Sequence, residues 1–478
     1  MLKFYKIDLL IKYSKKLTTF TSVHESIKNL SNKILVFILL LNSGGILSQK
    51  LEILTLLDAV EKNLPLLKTK QLESAALQKG AQLIDVARRP NLEATYQADL
   101  ATYNNLTGMF LPSGILPISG PPTVKNFFEP VFGSAASLLA TWQPLTFGQA
   151  VRQKKVAEAE MEVKNAEAAN ELFLQQIRVL NVYLDWQVAG ELVALYQKYS
   201  ENANELSRQV NALTIRGLKP ASDSAFLAGE ISRLKIEMLQ ARKWQEDYRL
   251  ILLNLTGKEP SLQPSAIFFD MLPKSDAGNN MNNHPAIRLA TSRIGAGEAQ
   301  LNLIKKQLVP KLQFWGTTYA RGSGINAVGE TDAIAGLSFQ RYNYGFGAQI
   351  SYPLLRGAEI KVQQEQQSLL NESYQEKLKD EKIQLTEKQL LSANKLQSAL
   401  LVVQEIVNQK QANDYVLRAL TGQYISGLIA FSELIQAQYN VIKTDSDVKK
   451  AYWEAWKALL FQAASGGDIN IFLNQITD

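Results

Sequence analysis

The sequence predicts an internally duplicated chain whose strands form part of a membrane β-barrel and whose long helices form a coiled-coil barrel. Three observations lead to this fold class. Short segments centred on proline or glycine recur at a nearly constant spacing. Each copy holds two stretches that alternate apolar and polar residues. Each copy also holds a long run almost free of glycine and proline, which is typical of a helix far longer than a compact domain uses.

Four pairs of matching segments carry the duplication. They are "KNLPLL" at Pro65 with "NNHPAI" at Pro285, "RRPNLEATY" at Pro90 with "LVPKLQFWGTTY" at Pro310, "QPLTFG" at Pro144 with "YPLLRG" at Pro353, and "IRGLKPASD" at Gly217 with "ISGLIAFSE" at Gly427. The spacing is 220 residues for the first two pairs and 209 or 210 for the last two, so a single loop differs in length. We therefore expect repeat 1 at residues 49–260, repeat 2 at residues 261–466 and a C-terminal tail at residues 467–478.

Residues 1–48 are predicted to be a secretory signal peptide. Seven lysines against Asp8 and Glu25 give this segment a charge of +5, out of +6 for the whole chain. The apolar run at residues 34–41 is too short to span a bilayer as a helix, and small residues follow it up to Ser48. A buried first helix is the alternative, and the long basic region also fits a start downstream of Met1. Because the basic charge belongs to this leader, nucleic-acid binding is not favoured.

The composition leaves little for catalysis or metal binding. The chain has no cysteine, and His284 is the one histidine outside the leader. No glycine-rich phosphate-binding loop is recognisable in the sequence. We expect no enzymatic activity, no cofactor and no metal site.

Each repeat holds two predicted strands, at residues 92–104 and 134–143 and at residues 311–321 and 342–352. In "YNYGFGAQISY" the aromatic residues alternate with Asn, Gly, Gln and Ser, whereas Trp315 in the third strand falls on the polar side. A soluble sheet with one wet face would also alternate. A row of aromatic residues opposite small polar ones, over about 9–11 residues, is more typical of a membrane strand.

Four prolines lie at the predicted junctions between strands and helices. Proline has a fixed φ and no amide hydrogen, so it suits strand ends and first helical turns. Pro144 and Pro353 are predicted to join a strand to a helix with no loop between them. Pro90 and Pro310 are predicted to join a helix to a strand, because the residue before a proline is pushed out of the α region.

Long helices are predicted at residues 149–213, 221–256, 358–421 and 430–465. The Ala-rich apolar stripe in "AEAEMEVKNAEAANELFLQQI" is typical of a coiled coil, so a soluble coiled-coil scaffold would explain the helices but not the strands. Four strands cannot close a barrel, and unpaired strand edges are costly in lipid. Three chains would supply twelve strands, the smallest closed set with a useful lumen. The sequence therefore predicts a homotrimer with a twelve-stranded barrel and a helical tunnel.

The ordered repeats, the junction prolines and the turns "RGLKPASD" and "SGLIAFSELIQAQ" resemble the TolC family of outer-membrane efflux channels. The resemblance implies a homotrimer in outer-membrane lipid with a periplasmic helical extension. It further implies a passive exit duct for tripartite efflux or type I secretion, docked on a periplasmic adaptor protein and an inner-membrane RND or ABC pump. The cargo stays open among drugs, metal ions and polypeptides. A periplasmic structural or adhesion scaffold without a pore is the alternative.

The resemblance also assigns candidate residues at the periplasmic end. Tyr424 matches the family's gate tyrosine, Glu433 the first position of an acidic pore ring and Gln436 the second. Ile429 replaces a basic partner that is found in the family. Asp223 has the same place in repeat 1 as Glu433. The turns that match the adaptor-contact tips contain Arg216, Gly217 and Leu218 in repeat 1, and Ser426, Gly427 and Leu428 in repeat 2. Solvated helix charges and plain helical corners are the simpler interpretations.

Overall fold

The computed structural model describes residues 50–102, 104, 125–260, 267–274, 281–326 and 330–476. The predicted signal peptide, 1–48, lies outside the described residues. The strands are β1 (Asn91–Ala101), β2 (Val131–Leu145), β3 (Lys311–Ser323) and β4 (Arg341–Ser351). The helices are α1 (residues 50–63), α2 (Pro65–Val86), α3 (Gln149–Ile215), α4 (Ala221–Thr256), α5 (Ile267–Asp270), α6 (Pro285–Ile304), α7 (Gly357–Ile425), α8 (Phe431–Gly466) and α9 (Asn470–Leu473).

The four strands form one antiparallel sheet in the order β1-β2-β3-β4, as expected for four strands per chain. The register aligns residues in rows that cross the whole sheet. Tyr96 lies opposite Ala136, Ala136 opposite Ala320, and Ala320 opposite Tyr342. Residues directly opposite each other in an antiparallel pair point to the same face. Each such row therefore belongs to one side of the sheet.

The junctions after β2 and β4 differ from the prediction that no loop separates strand from helix. Pro144 lies inside β2, next to a register shift between Trp142 and Leu145, because proline cannot donate a hydrogen bond to the strand ladder. Residues 146–148 then form a turn in which Phe147 and Gly148 have φ values of 47° and 87°. Residues 352–356, including Pro353, separate β4 from α7. At the first of these junctions, backbone in the left-handed region turns the chain from strand to helix.

The junctions before β1 and β3 agree with the sequence pattern. Pro90 immediately precedes Asn91, the first residue of β1, and Pro310 immediately precedes Lys311, the first residue of β3. Because a proline disfavours the α conformation of the residue before it, the helical conformation ends here and the extended strand begins.

The two long hairpins, α3–α4 and α7–α8, resemble each other in length and in how they end. Helices α4 and α8 each contain 36 residues, and each ends at a glycine in the left-handed conformation, Gly257 (φ 68°) and Gly467 (φ 73°). Along α7, residues at alternating spacings of three and four are at least half-buried, among them Leu385, Leu396 and Val403. This spacing is that of a coiled coil.

The chain divides into two compact units, and each unit draws on both sequence repeats. One combines residues up to Lys70 with Ala166–Leu289 and the segment from Leu378 onward, and the other combines Gln71–Asn165 with Ala290–Lys377. The division into repeats 49–260 and 261–466 stays a prediction about ancestry, since compactness follows contacts in space.

The core of the first unit is aromatic. The Phe268 ring stacks edge-on against Trp456 with centroids 5.1 Å apart, and Trp456 contacts Phe472 at 5.8 Å. The segment that the sequence analysis sets apart as a C-terminal tail thus contains α9, and Phe472 within it is fully buried. Burying a large aromatic side chain contributes about 1.5–3 kcal/mol, which is enough to dock this segment.

A buried polar layer in the first unit interrupts the apolar packing of α8. On one side, Asn413 of α7 donates a hydrogen bond to Thr444 (2.7 Å). On the other side, the hydroxyls of Tyr196 on α3 and Ser446 lie 3.0 Å apart. Between these two bonds, Asp445 accepts hydrogen bonds from Tyr199 of α3 and Lys410 of α7. Burial, followed by the Asp445 carboxylate, raises the pKa of the Tyr199 hydroxyl, so this tyrosine stays protonated and donates.

Within the described ranges, no helix combines the length and the apolar character that crossing a membrane requires.

Candidate functional site

One face of the sheet is apolar on all four strands. The rows on this face are Leu92–Ala140–Gly316–Phe346, Ala94–Leu138–Thr318–Tyr344 and Tyr96–Ala136–Ala320–Tyr342. Tyr344 and Phe346 are 85% and 84% exposed in the single chain, so the described chain leaves these two rings uncovered. An apolar face of this size marks a surface that contacts lipid or another protein.

The opposite face is mostly polar, and its larger apolar side chains are Val131, Leu139 and Trp315. The rows there include Thr95–Ser137–Tyr319–Asn343 and Asn91–Thr141–Trp315–Gly347. A Cβ on Gly347 would lie 2.9 Å from the Trp315 ring, and one on Gly345 would lie 3.5 Å from it. The two glycines therefore provide the space in which the indole lies on the sheet. The sequence indicates only that these glycines belong to a wet face, because alternation within one strand does not show which residue lies opposite on the next strand.

The loop between β3 and β4 packs on the start of β2. The Ser134 hydroxyl donates a hydrogen bond to the Gly336 carbonyl (2.6 Å), and the amide of Phe132 donates to the Ala333 carbonyl (3.2 Å). A Cβ on Gly336 would overlap the Phe132 carbonyl oxygen at 1.5 Å, so this close approach requires glycine. Most of the loop between β1 and β2 lies outside the described residues.

The turns between the paired long helices have the same hydrogen-bond pattern. Gly217 has φ 72° and its amide donates to the Thr214 carbonyl, while Leu218 donates to the Leu213 carbonyl. In the second turn Gly427 has φ 74°, and Gly427 and Leu428 donate to the carbonyls of residues 424 and 423. This pair of bonds is the Schellman motif, which ends a helix at a left-handed residue. Glycine is the residue that takes this conformation without strain.

The two turns expose matching apolar side chains. Ile215 and Leu218 are 86% and 66% exposed, and their counterparts Ile425 and Leu428 are 79% and 75% exposed. Arg216 and Ser426, each between an isoleucine and a glycine, are exposed as well. Each turn therefore has the chemistry of a small apolar contact surface.

Tyr424 lies at the end of α7, next to both hairpins. Its ring packs on Phe431 at 5.3 Å, and the ammonium group of Lys219, from the first turn, lies 4.2 Å from the centre of its ring. This cation–π contact is worth about 0.5–1 kcal/mol at an exposed site. Lys219 is the repeat 1 counterpart of Ile429, so the basic residue that contacts Tyr424 comes from the other hairpin. No sequence signal identifies Lys219, because the contact joins residues far apart in the chain.

Glu433 and Gln436 are exposed on the first turns of α8. Gln436 donates a hydrogen bond to Asn440 (3.2 Å) one turn further on. A carboxylate in the first turn of a helix is favoured by the helix dipole. Asp223, at the equivalent place on α4, is buried within the chain. The two acidic positions therefore have different surroundings, and their assignment to a pore ring stays a prediction.

Among the described residues no group of three or more His, Asp or Glu side chains is placed to hold a metal ion. No family model and no curated protein matches the sequence. The whole fold, by contrast, matches solved structures. The chain is similar to the outer-membrane channel OprN, with TM-score 0.67 and 16% identity over 87% of this chain and 90% of that one.

Two further channels match to the same degree. For the Campylobacter jejuni outer membrane channel CmeC the TM-score is 0.66, with 12% identity over 87% of this chain and 85% of that one. For the open state of the Neisseria gonorrhoeae MtrE outer membrane channel the TM-score is 0.67, with 14% identity over 89% of this chain and 91% of that one. The chain has the TolC-like fold. Identities this low show the fold and leave the role to be argued from the residues.

Sequence reasoning identifies some features of this TolC-like fold and misses others. The apolar face of the sheet and the two glycine turns lie where the sequence predicts them. The seating of Trp315 and the contact of Lys219 with Tyr424 depend on long-range pairing. The roles assigned to Tyr424, Glu433 and Gln436 and to the exposed turns stay predictions.

Proposed function

We propose that this protein is the outer-membrane exit duct of a tripartite efflux or type I secretion system. The observation that supports it is the register of the sheet, which collects the apolar residues of four strands on one face of a TolC-like chain. With 11 to 15 residues, the strands have the length that a membrane strand needs. In a barrel, the apolar face would contact lipid and the polar face would contact water.

The open edges of the sheet support a homotrimer. β1 and β4 have one partner each, and an unpaired edge in lipid costs several kcal/mol for each backbone group. Pairing β4 of one copy with β1 of the next removes both edges, and three copies give a closed barrel of twelve strands. Such a barrel places the protein in the outer membrane, with its helical hairpins in the periplasm.

The proposed duct is passive and opens at the helix turns. Tyr424 and Lys219 hold the two hairpins of one chain together there. Three copies of Glu433 around an axis would make the entrance negative and favour cations. The similar MtrE channel has been solved in an open state. The exposed apolar turns at Gly217 and Gly427 would receive the helical tips of a periplasmic adaptor, which links the duct to an inner-membrane pump.

The deciding experiment is single-channel recording with the purified, processed protein in planar lipid bilayers. A trimer by native mass spectrometry that inserts and conducts supports the duct. The alternative, a pore-free periplasmic scaffold, predicts a protein that leaves the membrane fraction without detergent and gives no conductance. Either of those two results rules out the duct, and the cargo class is then a question for transport assays with the partner pump.

A further inference from the structure

Two arginines lie directly opposite each other at the end of the sheet that is away from the helix junctions. In the register of β3 with β4, Arg321 pairs with Arg341, which is the first residue of β4. Side chains that are directly opposite in an antiparallel pair point to the same face, with Cβ atoms about 4.5–5.5 Å apart. Like charges placed in this way destabilise a sheet. This arginine pair therefore opposes the stability of the strands unless an anion lies between the two charges.

The arginine pair belongs to the mostly polar face of the sheet. Its row is Gln97–Ala135–Arg321–Arg341, and the neighbouring row on the same face is Thr95–Ser137–Tyr319–Asn343. Both arginines are exposed in the single chain. In the proposed barrel this face contacts water, so a ligand would reach the pair from the lumen and not from the lipid.

Within the described chain, the two guanidinium groups interact with neutral groups. The Arg321 guanidinium lies 6.0 Å from the centre of the Tyr319 ring, and Arg341 donates a hydrogen bond from Nη1 to the Gln340 carbonyl (2.9 Å). No carboxylate among the described residues forms an ion pair with either arginine. Asp99 lies in the next row on this face, but on β1, with β2 between it and Arg321. Since a guanidinium has five N–H donors, most of them stay open to water or to a ligand.

We propose that the arginine pair binds a doubly charged oxyanion, such as sulfate or the phosphate group of a solute. This inference rests on the proposed duct and adds an anion site to the lumen of its barrel. An oxyanion between two guanidinium groups accepts hydrogen bonds from both and offsets their repulsion. Because the helical hairpins lie in the periplasm in the proposed duct, each copy would place one such site near the outer end of the barrel.

Lys311 provides a comparison on the same strand and the same face. It is the first residue of β3, it is exposed, and it lies opposite Ser351. Lys311 therefore has the charge of an arginine without a second cation opposite it. It can attract anions into the lumen, but it cannot hold one between two guanidinium groups. The pair, and not the positive charge alone, defines the proposed site.

Block of single channels by sulfate tests the site. The purified protein is inserted into planar bilayers without anionic lipid, so that the anion comes from the solution alone. Sulfate then replaces part of the chloride at constant ionic strength, and we expect it to lower the current through wild-type channels. Arg321→Gln and Arg341→Gln should each raise the sulfate concentration for half block about 10- to 100-fold, because each removes hydrogen bonds between charged groups. Lys311→Gln, the matched control, should leave that concentration nearly unchanged.

A conservative variant separates binding from general attraction of anions. Arg321→Lys keeps the positive charge but loses the planar fork that a guanidinium presents to an oxyanion. We expect its preference between chloride and potassium to match that of the wild type, while its block by sulfate weakens. A block as strong as in the wild type would contradict the role of the guanidinium.

The outcomes separate this inference from the proposed function. If wild-type channels conduct but sulfate does not block them, the anion site is wrong and the duct stands. That is the result expected if Glu93 or Asp99 on β1 of the next copy neutralises Arg341. A Lys311→Gln variant that weakens the block as much as Arg321→Gln also contradicts the site, because the effect would then follow from charge alone. A wild-type protein that forms no channels overturns the duct and the anion site together.

Discussion

The apolar face of the sheet makes a quantitative prediction at Phe346. This residue belongs to the row Leu92–Ala140–Gly316–Phe346 and is 84% exposed in the single chain. In the proposed barrel its ring lies in lipid. Phe346→Arg places a cation there, at a cost of about 2–4 kcal/mol near the bilayer midplane. That corresponds to a loss of roughly 30- to 1000-fold in the folding equilibrium, since about 1.4 kcal/mol is tenfold.

Gln349→Arg is the matched control on the same strand. Gln349 pairs with Gln313 on the polar face and is exposed, so an arginine there would enter water. Both variants are refolded from urea into lipid vesicles, and the folded fraction is read from heat-modifiable migration during a urea titration. We expect Gln349→Arg to match the wild type and Phe346→Arg to require less urea for unfolding. Equal behaviour of the two variants would refute the assignment of lipid and water to the two faces.

Three further predictions concern the helices and the turns. His284 accepts a hydrogen bond at Nδ1 from the Ala286 amide and donates from Nε2 to the Ala464 carbonyl, and burial lowers its pKa. The unfolded chain then binds the proton more readily, so the free energy of unfolding should fall as the pH drops below about 6.5, by at most about 1.4 kcal/mol per pH unit. His284→Asn should remove this part of the pH dependence in urea titrations at pH 7.5 and 5.5. Gly427→Ala should destabilise its turn by about 1–2 kcal/mol because φ is 74°, whereas Gly422→Ala inside α7 should be neutral or stabilising in the same thermal melts. Glu433→Gln should change cation preference or cation block in planar bilayers, and unaltered selectivity and block would contradict its place in a pore ring.

The sequence predicts the helices and strands of this fold better than it predicts which strands pair and in what register. Alternation with period two identified the apolar side of β1, β2 and β4, because that pattern is local to each strand. The register across the sheet depends on long loops that carry no simple turn signal. Trp315 is an example. The alternation within its own strand puts it on the polar side, but its packing over Gly345 and Gly347 depends on the pairing of β3 with β4.

The candidate site divides in the same way. The reversals at Gly217 and Gly427 could be predicted, because glycine permits the left-handed conformation that the structure has there. The contact between Tyr424 and Lys219 could not be predicted, since Lys219 comes from a different hairpin. The absence of a loop after Pro144 and Pro353 was wrongly predicted, because a proline marks a junction without stating how many residues turn the chain.

The polar layer at Thr444, Asp445 and Ser446 has a consequence for how the hairpins fluctuate. Along α8 it lies between Trp456 of the large aromatic core and the small apolar cluster near the turns. That cluster contains Val210, Leu227, Ile231, Phe431 and Leu434. A small cluster gives the helix segments near the turns little stability against local opening. We therefore expect these segments to exchange their amide hydrogens by local opening while the core stays protected. Protection factors should therefore fall stepwise across the layer, and the ends of the hairpins could rearrange without melting the rest of the protein.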